Sequence, residues 1–369
     1  MKEDVKLNAI RTRIDEIDLQ LQQLINERAE AAQEIARIKL KEDPQTEFYR
    51  PEREAEVLRR VKERNQGPLS EEEVARLFRE IMSACLALEQ PMDVAFLGPD
   101  GTYTEEAVLK HFGHSVRTTS MGSIPDTFRE VEAGACHYGV VPVENSTEGV
   151  ITHTLDTFLN SSLHICGEVS LPINHQLLSG EIAIQAIKVI YTHAQSLAQC
   201  RGWLDQHLPH VERVAIGSNA EAAKLAAEIP GAGAIASEAA GQIYQLNLLA
   251  SNIEDEPGNT TRFLVIGKQD APVSGDDKTS IMFSIINEAG GLHTMLTPFA
   301  EHDISMTRIE SRPSRRGRWD YVFFIDLEGH RSDANLAKAL LEIGQSATQF
   351  KVLGSYPKAI INSCSCNCS

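Results

Sequence analysis

The chain has 369 residues, which suits two or three domains, and 42% hydrophobic residues, enough for ordinary cores. Its net charge of −17 argues against a nucleic-acid partner, and no apolar run reaches the ~18 residues of a membrane span. The opening MKEDVKLNAIRTRIDEID is charged and lacks an apolar signal-peptide core, so the expected location is cytoplasmic.

Residues 6–92 read as all helix. Leu7, Ile10, Ile14, Ile17, Leu21, Leu24, Ala31, Ile35 and Ile38 recur at spacings of three and four. This predicts one amphipathic helix of about 34 residues and ~50 Å. Such a helix cannot bury its stripe alone, and a second subunit is the expected cover. Asp43–Pro44 breaks it. YRPERE opens a second helix, with Pro51 suited to the first turn. After NQGPLSEEE, Ser70 and Glu73 form a capping box for a third helix, which Pro91 ends.

The stripe of the first helix meets Arg28 between Leu24 and Ala31. An arginine on an apolar seam is costly unless an anion pairs with it. Lys39 is rotated only about 20° from Arg28 and lies ~16 Å along the axis; Arg11 is rotated by roughly 100° and lies ~25 Å away. One small ligand meets both Arg11 and Arg28 only if Arg11 comes from an antiparallel partner. Arg50, Arg53 and Glu54 stand at the start of the second helix. Either these cations converge on a small polyanion, or Arg28 pairs locally with Glu27, Glu30 or Glu34.

LNAIRTRIDEIDLQLQQLINERAEAAQEIARIK followed by FYRPEREAEVL resembles the all-helical chorismate mutase family over residues 6–90. The resemblance implies an intertwined dimer that grips the two carboxylates and the ether oxygen of chorismate. Arg11 (from the other subunit), Arg28, Lys39, Arg53 and Glu54 take the ligand roles. A Claisen rearrangement needs no nucleophile and no cofactor; the site holds a compact conformer and stabilises charge growing on the ether oxygen. Some members donate to that oxygen from a Gln near the end of the third helix. Alignment on RLFREIM puts Glu89 there. Only a protonated Glu donates, so Glu89 is expected to carry a pKa raised by burial. Cys85 stands where some relatives have a small polar residue and receives no role.

Residues 93–270 change character. DVAFLG, YGVVPV, LHICGEV, IKVIYTH, ERVAIG, AGAIAS and RFLVIG are short apolar runs between helical patterns. They predict an α/β domain with largely parallel sheets, in two lobes around a cleft, with ligands at strand C-terminal ends. Polar clusters border the strands. Their Thr102, Thr104, Ser146, Thr147, Ser196, Ser218 and Asn219 either cap helices or line a cleft of neutral donors suited to carboxylates. Gly98 and Gly101 belong to no Walker or GxGxxG pattern, which argues against a nucleotide.

The ordered set GPDGTYT, VPVENSTEG, HAQSLAQC and NTTRF resembles the prephenate dehydratase family across 93–268. The resemblance implies conversion of prephenate to phenylpyruvate with loss of water and CO₂. Decarboxylation yields an aromatic ring, so the enzyme need only protonate or hydrogen-bond the leaving hydroxyl. Thr261 is placed in that role. Asn145, Ser146, Thr147 and Ser196 are placed at the substrate. Arg262 either binds a substrate carboxylate or orders the loop. His193 either positions or transfers a proton, or simply caps a helix.

DAPVSGDDKTS, 270–280, is a polar linker. SIMFSIIN, a helix around 291–302, ISMTRIESR, WDYVFFIDLEG, a helix at about 332–345 and FKVLGSYPKA give a βαββαβ, ferredoxin-like module. GGLHTMLTPF and RIESRP resemble the ACT family of amino-acid-binding modules. The resemblance implies L-phenylalanine as effector at an interface of two modules. Gly290, Gly291, Leu292 and His293 face Glu310, Ser311 and Arg312. The family commonly reads Pro-Gly-Ala-Leu where this chain reads AGGL, which loosens the turn.

Cys85, Cys136, Cys166 and Cys200 read as reduced core residues, and Cys364, Cys366 and Cys368 crowd into a tail without the fourth ligand a zinc site wants. The chain thus reads as multidomain. An all-α helical mutase domain (1–92, an intertwined dimer) precedes a two-lobed α/β dehydratase domain (93–270). An α+β ferredoxin-like ACT domain (279–360) and a Cys-rich tail (361–369) follow. The implied function is a feedback-inhibited bifunctional enzyme acting on chorismate and prephenate. No metal, cofactor, membrane or nucleic acid is expected, and the assembly is a homodimer or a dimer of dimers. Fusion to a prephenate dehydrogenase would need a nicotinamide glycine fingerprint, which is absent. A non-catalytic two-lobed sensor would leave Arg28 and the Thr-Arg-Phe strand entrance unexplained.

Overall fold

The computed structural model describes residues 2–43, 46, 48–286, 288–313 and 321–360; the cysteines of the tail lie outside them. The first block is three helices, α1 (Lys2–Glu42), α2 (Pro51–Arg64) and α3 (Glu71–Glu89). Pro51 opens α2, and Ser70 Oγ accepts from Glu73 N at 3.2 Å to cap α3. α2 and α3 pack through Leu58, Ala75 and Met82. α1 runs ~60 Å and lies against α3. Its apolar stripe is bare in the single chain: Ile10, Ile14, Leu24, Ile35 and Ile38 are all more than half exposed. Among the described residues no helix is long and apolar enough to cross a membrane.

The middle block opens with β1 (Asp93–Leu97), α4 (Tyr103–Phe112), β2 (Arg117–Met121), α5 (Ile124–Ala133), β3 (Tyr138–Asn145), β4 (Gly149–Val150), α6 (Thr152–Phe158) and β5 (His164–Pro172). A second lobe follows with β6 (Gln176–Ser179), β7 (Val189–His193), α7 (Ala194–Gln199), α8 (Arg201–His207), β8 (Glu212–Ile216), α9 (Asn219–Glu228), β9 (Ala232–Ala236), α10 (Glu238–Ile243) and β10 (Asn247–Ala250). The chain then returns to the first lobe as β11 (Thr260–Gly267). The first sheet has the order β2-β1-β3-β11-β5, with β4 beside β3; the second has β10-β6-β9-β7-β8.

Both sheets are mixed, which corrects the expectation of largely parallel ones. β1 is parallel to β2 and β3, but β11 is antiparallel to β3 and β5. The physical reason lies in the crossing. The chain leaves the first lobe at the end of β5 and re-enters beside it, where Ile173 N donates to Asn259 O at 2.8 Å. A strand that starts at the cleft must run opposite to one that ends there. The lobes also meet where Ser237 Oγ, the cap of α10, donates to Gly101 O at 3.2 Å. Gly101 has φ +84°, and a Cβ there would lie 3.3 Å from Ala240 Cα, so this approach requires glycine.

The last block is β12 (Asp277–Ile285), α11 (Gly291–Glu301), β13 (Met306–Pro313), β14 (Tyr321–Glu328), α12 (Ala334–Ser346) and β15 (Gln349–Pro357), in sheet order β13-β14-β12-β15. Strand alternation gives this sheet two apolar faces. Ile281, Phe283 and Ile325 pack on its own helices, while Met282, Phe324, Leu353 and Tyr356 join the core of the first lobe. β15 comes so close to β5 that a Cβ on Gly354 would sit 2.2 Å from Ile165 O. The first block is anchored too: Tyr49 Oη lies 2.8 Å from His111 Nε2 of α4.

Candidate active and regulatory sites

In the helical block, Arg28 and Lys39 of α1 face Glu54 of α2 and Glu89 of α3. Burial raises the carboxyl pKa of Glu89, against the opposing pull of Lys39 and Arg28. Burial likewise raises Glu54, against Arg79 and Arg28. Among the described residues Arg28 and Lys39 make no ion pair, and the Lys39 ammonium rests over the Phe48 ring, 5.7 Å from its centroid. Local pairing of Arg28 with Glu27, Glu30 or Glu34 is therefore not what the fold uses. Two cations that make no ion pair among the described residues thus stand beside two carboxyls whose burial favours the neutral form, an arrangement chemically suited to an anion.

The fold places Arg53 elsewhere. Arg53 pairs with Glu56 on its own helix, and its side chain is 57% exposed. Arg11 is exposed on α1, about five turns from Arg28, and its expected role is in the partner subunit's site. Arg79 went unnoticed in the sequence. It is buried and ion-paired with Glu54. Its signal was available: Arg79 stands in step with Ala75 and Met82 on the apolar seam of α3, as Arg28 does on α1.

Between the two lobes lies a cavity of about 200 Å³. Asn145 at the end of β3, His193 at the end of β7, Ser196 on α7 and Thr261 at the start of β11 all line it. Register pairs Thr261 with Asn145. Asn145 Oδ1 accepts from the N–H groups of Thr147 and Glu148, each at 3.0 Å, which orients its amide. Its Nδ2 then donates to Thr261 Oγ1 at 2.8 Å. A hydroxyl that receives this bond keeps its own proton for a ligand.

Ser196 is treated the same way: Asn219 Nδ2 donates to its Oγ at 2.7 Å. Asn219 Oδ1 in turn accepts from His193 N at 2.9 Å and Thr192 Oγ1 at 3.0 Å. His193 Nδ1 accepts from Gln195 N at 3.3 Å, capping α7. That bond puts the proton of a neutral ring on Nε2, so capping and donation coexist.

Ser146 and Thr147 follow Asn145 in the loop after β3. Both are exposed and outside the cavity, where Ser146 Oγ accepts from Thr260 N at 2.9 Å and fastens the loop. Arg262 points away from the cavity. Strand alternation turns it to the face opposite Thr261, where Glu168, Asp326 and Tyr356 take its guanidinium. Tyr103, His175 and Gln199 also line the cavity and were not singled out. His175 Nε2 lies 2.7 Å from Gln199 Oε1 and Nδ1 lies 3.1 Å from Tyr103 Oη, while burial lowers the pKa of the ring. Tyr103 and Gln199 sit inside the GPDGTYT and HAQSLAQC segments; nothing local marks His175.

In the last block, Gly290 adopts φ +81° as the cap of α11, which Gly291 begins. Leu292 packs on the module's core and His293 is exposed. Glu310, Ser311 and Arg312 lie on the edge strand β13; Ser311 is exposed, and Arg312 pairs with Asp156 of α6 at 3.3 Å.

Comparison with known proteins follows these three sites. The chorismate mutase type II family matches residues 10–90, the prephenate dehydratase family 94–271 and the ACT domain 279–345. The chain is 57% identical to the bifunctional chorismate mutase/prephenate dehydratase of Stutzerimonas stutzeri, across 98% of this chain and 100% of that one. It is 56% identical to the corresponding Pseudomonas aeruginosa protein, with the same coverage. The solved prephenate dehydratase of Arthrobacter aurescens in complex with L-Phe is 32% identical, with a TM-score of 0.68, covering 74% of this chain and 92% of that one. By sequence across nearly its whole length, the chain belongs to the bifunctional chorismate mutase/prephenate dehydratase family.

Proposed function

We propose that the chain converts chorismate to prephenate between Arg28, Lys39, Glu54 and Glu89, and prephenate to phenylpyruvate in the cavity of Asn145, His193, Ser196 and Thr261. The first reaction moves no proton. The cations hold the two carboxylates, and a protonated Glu89 donates to the ether oxygen as its bond breaks. In the second, the carboxylate carbon leaves as CO₂, its bonding pair enters the ring, and the ring expels hydroxide. Thr261 Oγ–H hydrogen-bonds that departing oxygen and keeps its proton, and the hydroxide becomes water by taking a proton from solvent. The observation that carries the reading is the bond from Asn145 Nδ2 to Thr261 Oγ1 at 2.8 Å, which aims a donor without a base.

The regulatory reading places L-phenylalanine at the ACT module, near Gly290–His293 and Glu310–Arg312. The L-Phe complex of the Arthrobacter aurescens relative supports it. Incubation with chorismate tests the catalytic reading: phenylpyruvate is expected, and prephenate that accumulates without it sinks the assigned cavity. Calorimetry tests the regulatory one: heat of phenylalanine binding is expected in the intact protein and lost in Glu310→Ala and Ser311→Ala.

A further inference from the structure

The cavity-facing pair Asn145–Thr261 has a counterpart on the other face of the same two strands. Register pairs Arg262 with Glu144, one step along from Thr261 and Asn145. Successive side chains take opposite faces, so Glu144 and Arg262 turn toward the regulatory sheet. There they meet a second cross-strand pair, Arg308 of β13 and Asp326 of β14, which are themselves partners in register. Arg308 Nε lies 3.1 Å from Glu144 Oε2, and Arg262 Nη1 donates to Asp326 Oδ2 at 2.5 Å. Four charges of alternating sign stand at the corners of a quadrilateral across the domain boundary; two of its sides are these ion pairs and two are strand register.

The corners differ. Each guanidinium nitrogen of Arg262 makes a bond: besides Nη1, Nε donates to Glu168 Oε2 at 2.8 Å and Nη2 to Tyr356 Oη at 2.9 Å. Asp326 also accepts from Ser280, and although burial pushes its carboxyl up, Arg262, Ser280 and Arg308 bring it below the ordinary range. Arg308 is the loose corner. Its side chain is only 11% exposed, yet among the described residues its Nε and Nη2 find no hydrogen bond of good geometry. A buried polar group left so is a candidate moving part. It also stands on β13, two residues before Glu310.

We infer that the two cross-boundary pairs Glu144–Arg308 and Arg262–Asp326 position the catalytic Asn145–Thr261 pair, so the regulatory module helps build the dehydratase site. On the effector reading given above, a displacement of β13 reaches Thr261 through Arg308 and Glu144. None of the four touches substrate; they are positioning residues.

The test uses the full chain with Arg308→Gln and Glu144→Gln, singly and together. Mutase activity of the same chain reports that the fold is kept. Each single substitution is expected to lower dehydratase kcat about tenfold with KM within about twofold, because small misplacements of a catalytic group act on kcat. The double variant should be no worse than either single one, the mark of one shared interaction. Arg308→Lys should recover part of the rate. Arg308→Gln should keep its phenylalanine heat of binding while losing inhibition. Wild-type kcat in both singles, or additive losses in the double, overturns the proposal. Glu144 is 38% exposed and tolerates Gln should Arg308→Gln unfold; full rate in Glu144→Gln alone then overturns it. A wild-type protein that binds no phenylalanine removes the effector reading and leaves the kcat test standing.

Discussion

In the proposed reaction Thr261 works by what it is given rather than by what is taken from it. Asn145 supplies a hydrogen bond to the oxygen, and the hydroxyl proton is left facing the cavity. Removing one such preorganised donor costs about 10²–10³ in rate. Thr261→Ala should therefore lose dehydratase kcat by that order, while Thr261→Ser stays within about tenfold and mutase activity is unchanged in both. An active Thr261→Ala would end the donor role. Glu89 sets a different test. Its burial-raised pKa keeps the donating, protonated form populated to higher pH than an ordinary carboxyl would. The sign follows: mutase activity falls as pH rises through that pKa, and Glu89→Gln, which donates at every pH, flattens the limb. An unchanged profile in that variant would count against it. At this scale the sequence was legible where a motif named a residue and less so where a face had to be chosen. Thr261 and Arg262 are adjacent in one motif, yet alternation sends one to the cavity and the other to the regulatory sheet.

Helix α1 shows what a pattern tells and what it withholds. Its stripe predicted an uncovered face, and that face is bare in the single chain. Burying a Leu or Ile side chain is worth ~1.5–3 kcal/mol, so several along one helix drive association strongly. We predict a dimer at micromolar concentration by sedimentation. Ile17→Asp should shift it toward monomer and lower mutase kcat/KM at least about tenfold, since Arg11 is expected from the partner subunit. A monomeric wild type with full mutase activity would refute this. Among the strands, every continuous apolar run became one. β2, with RTTSM at a sheet edge, was invisible because neither face is buried enough to impose a period. β6, four fully buried residues, was too short to tell from helix. The mixed order of both sheets depends on where the chain crosses between lobes, and no local pattern encodes that.

Across the whole molecule, the three blocks are joined by side chains as much as by chain. Tyr49 ties the mutase helices to α4, and the ACT sheet gives one face to the catalytic core. The order of blocks was readable because each carries its own motifs. Their mutual contacts were not, because Glu168, Asp326 and His111 look like ordinary strand or helix residues until partners from distant segments arrive. The return of β11 to the first lobe has a consequence for assembly in time. Asn145 and Thr261 are separated by 116 positions. Contacts of long sequence separation form late, so the first sheet waits for the second lobe to be made before β11 can enter between β3 and β5. On refolding, dehydratase activity should therefore return after the far-ultraviolet signal of the second lobe; simultaneous recovery would contradict this order. Until β11 arrives, β3 and β5 present open hydrogen-bonding edges, which makes the nascent chain most prone to association just before its dehydratase site is completed.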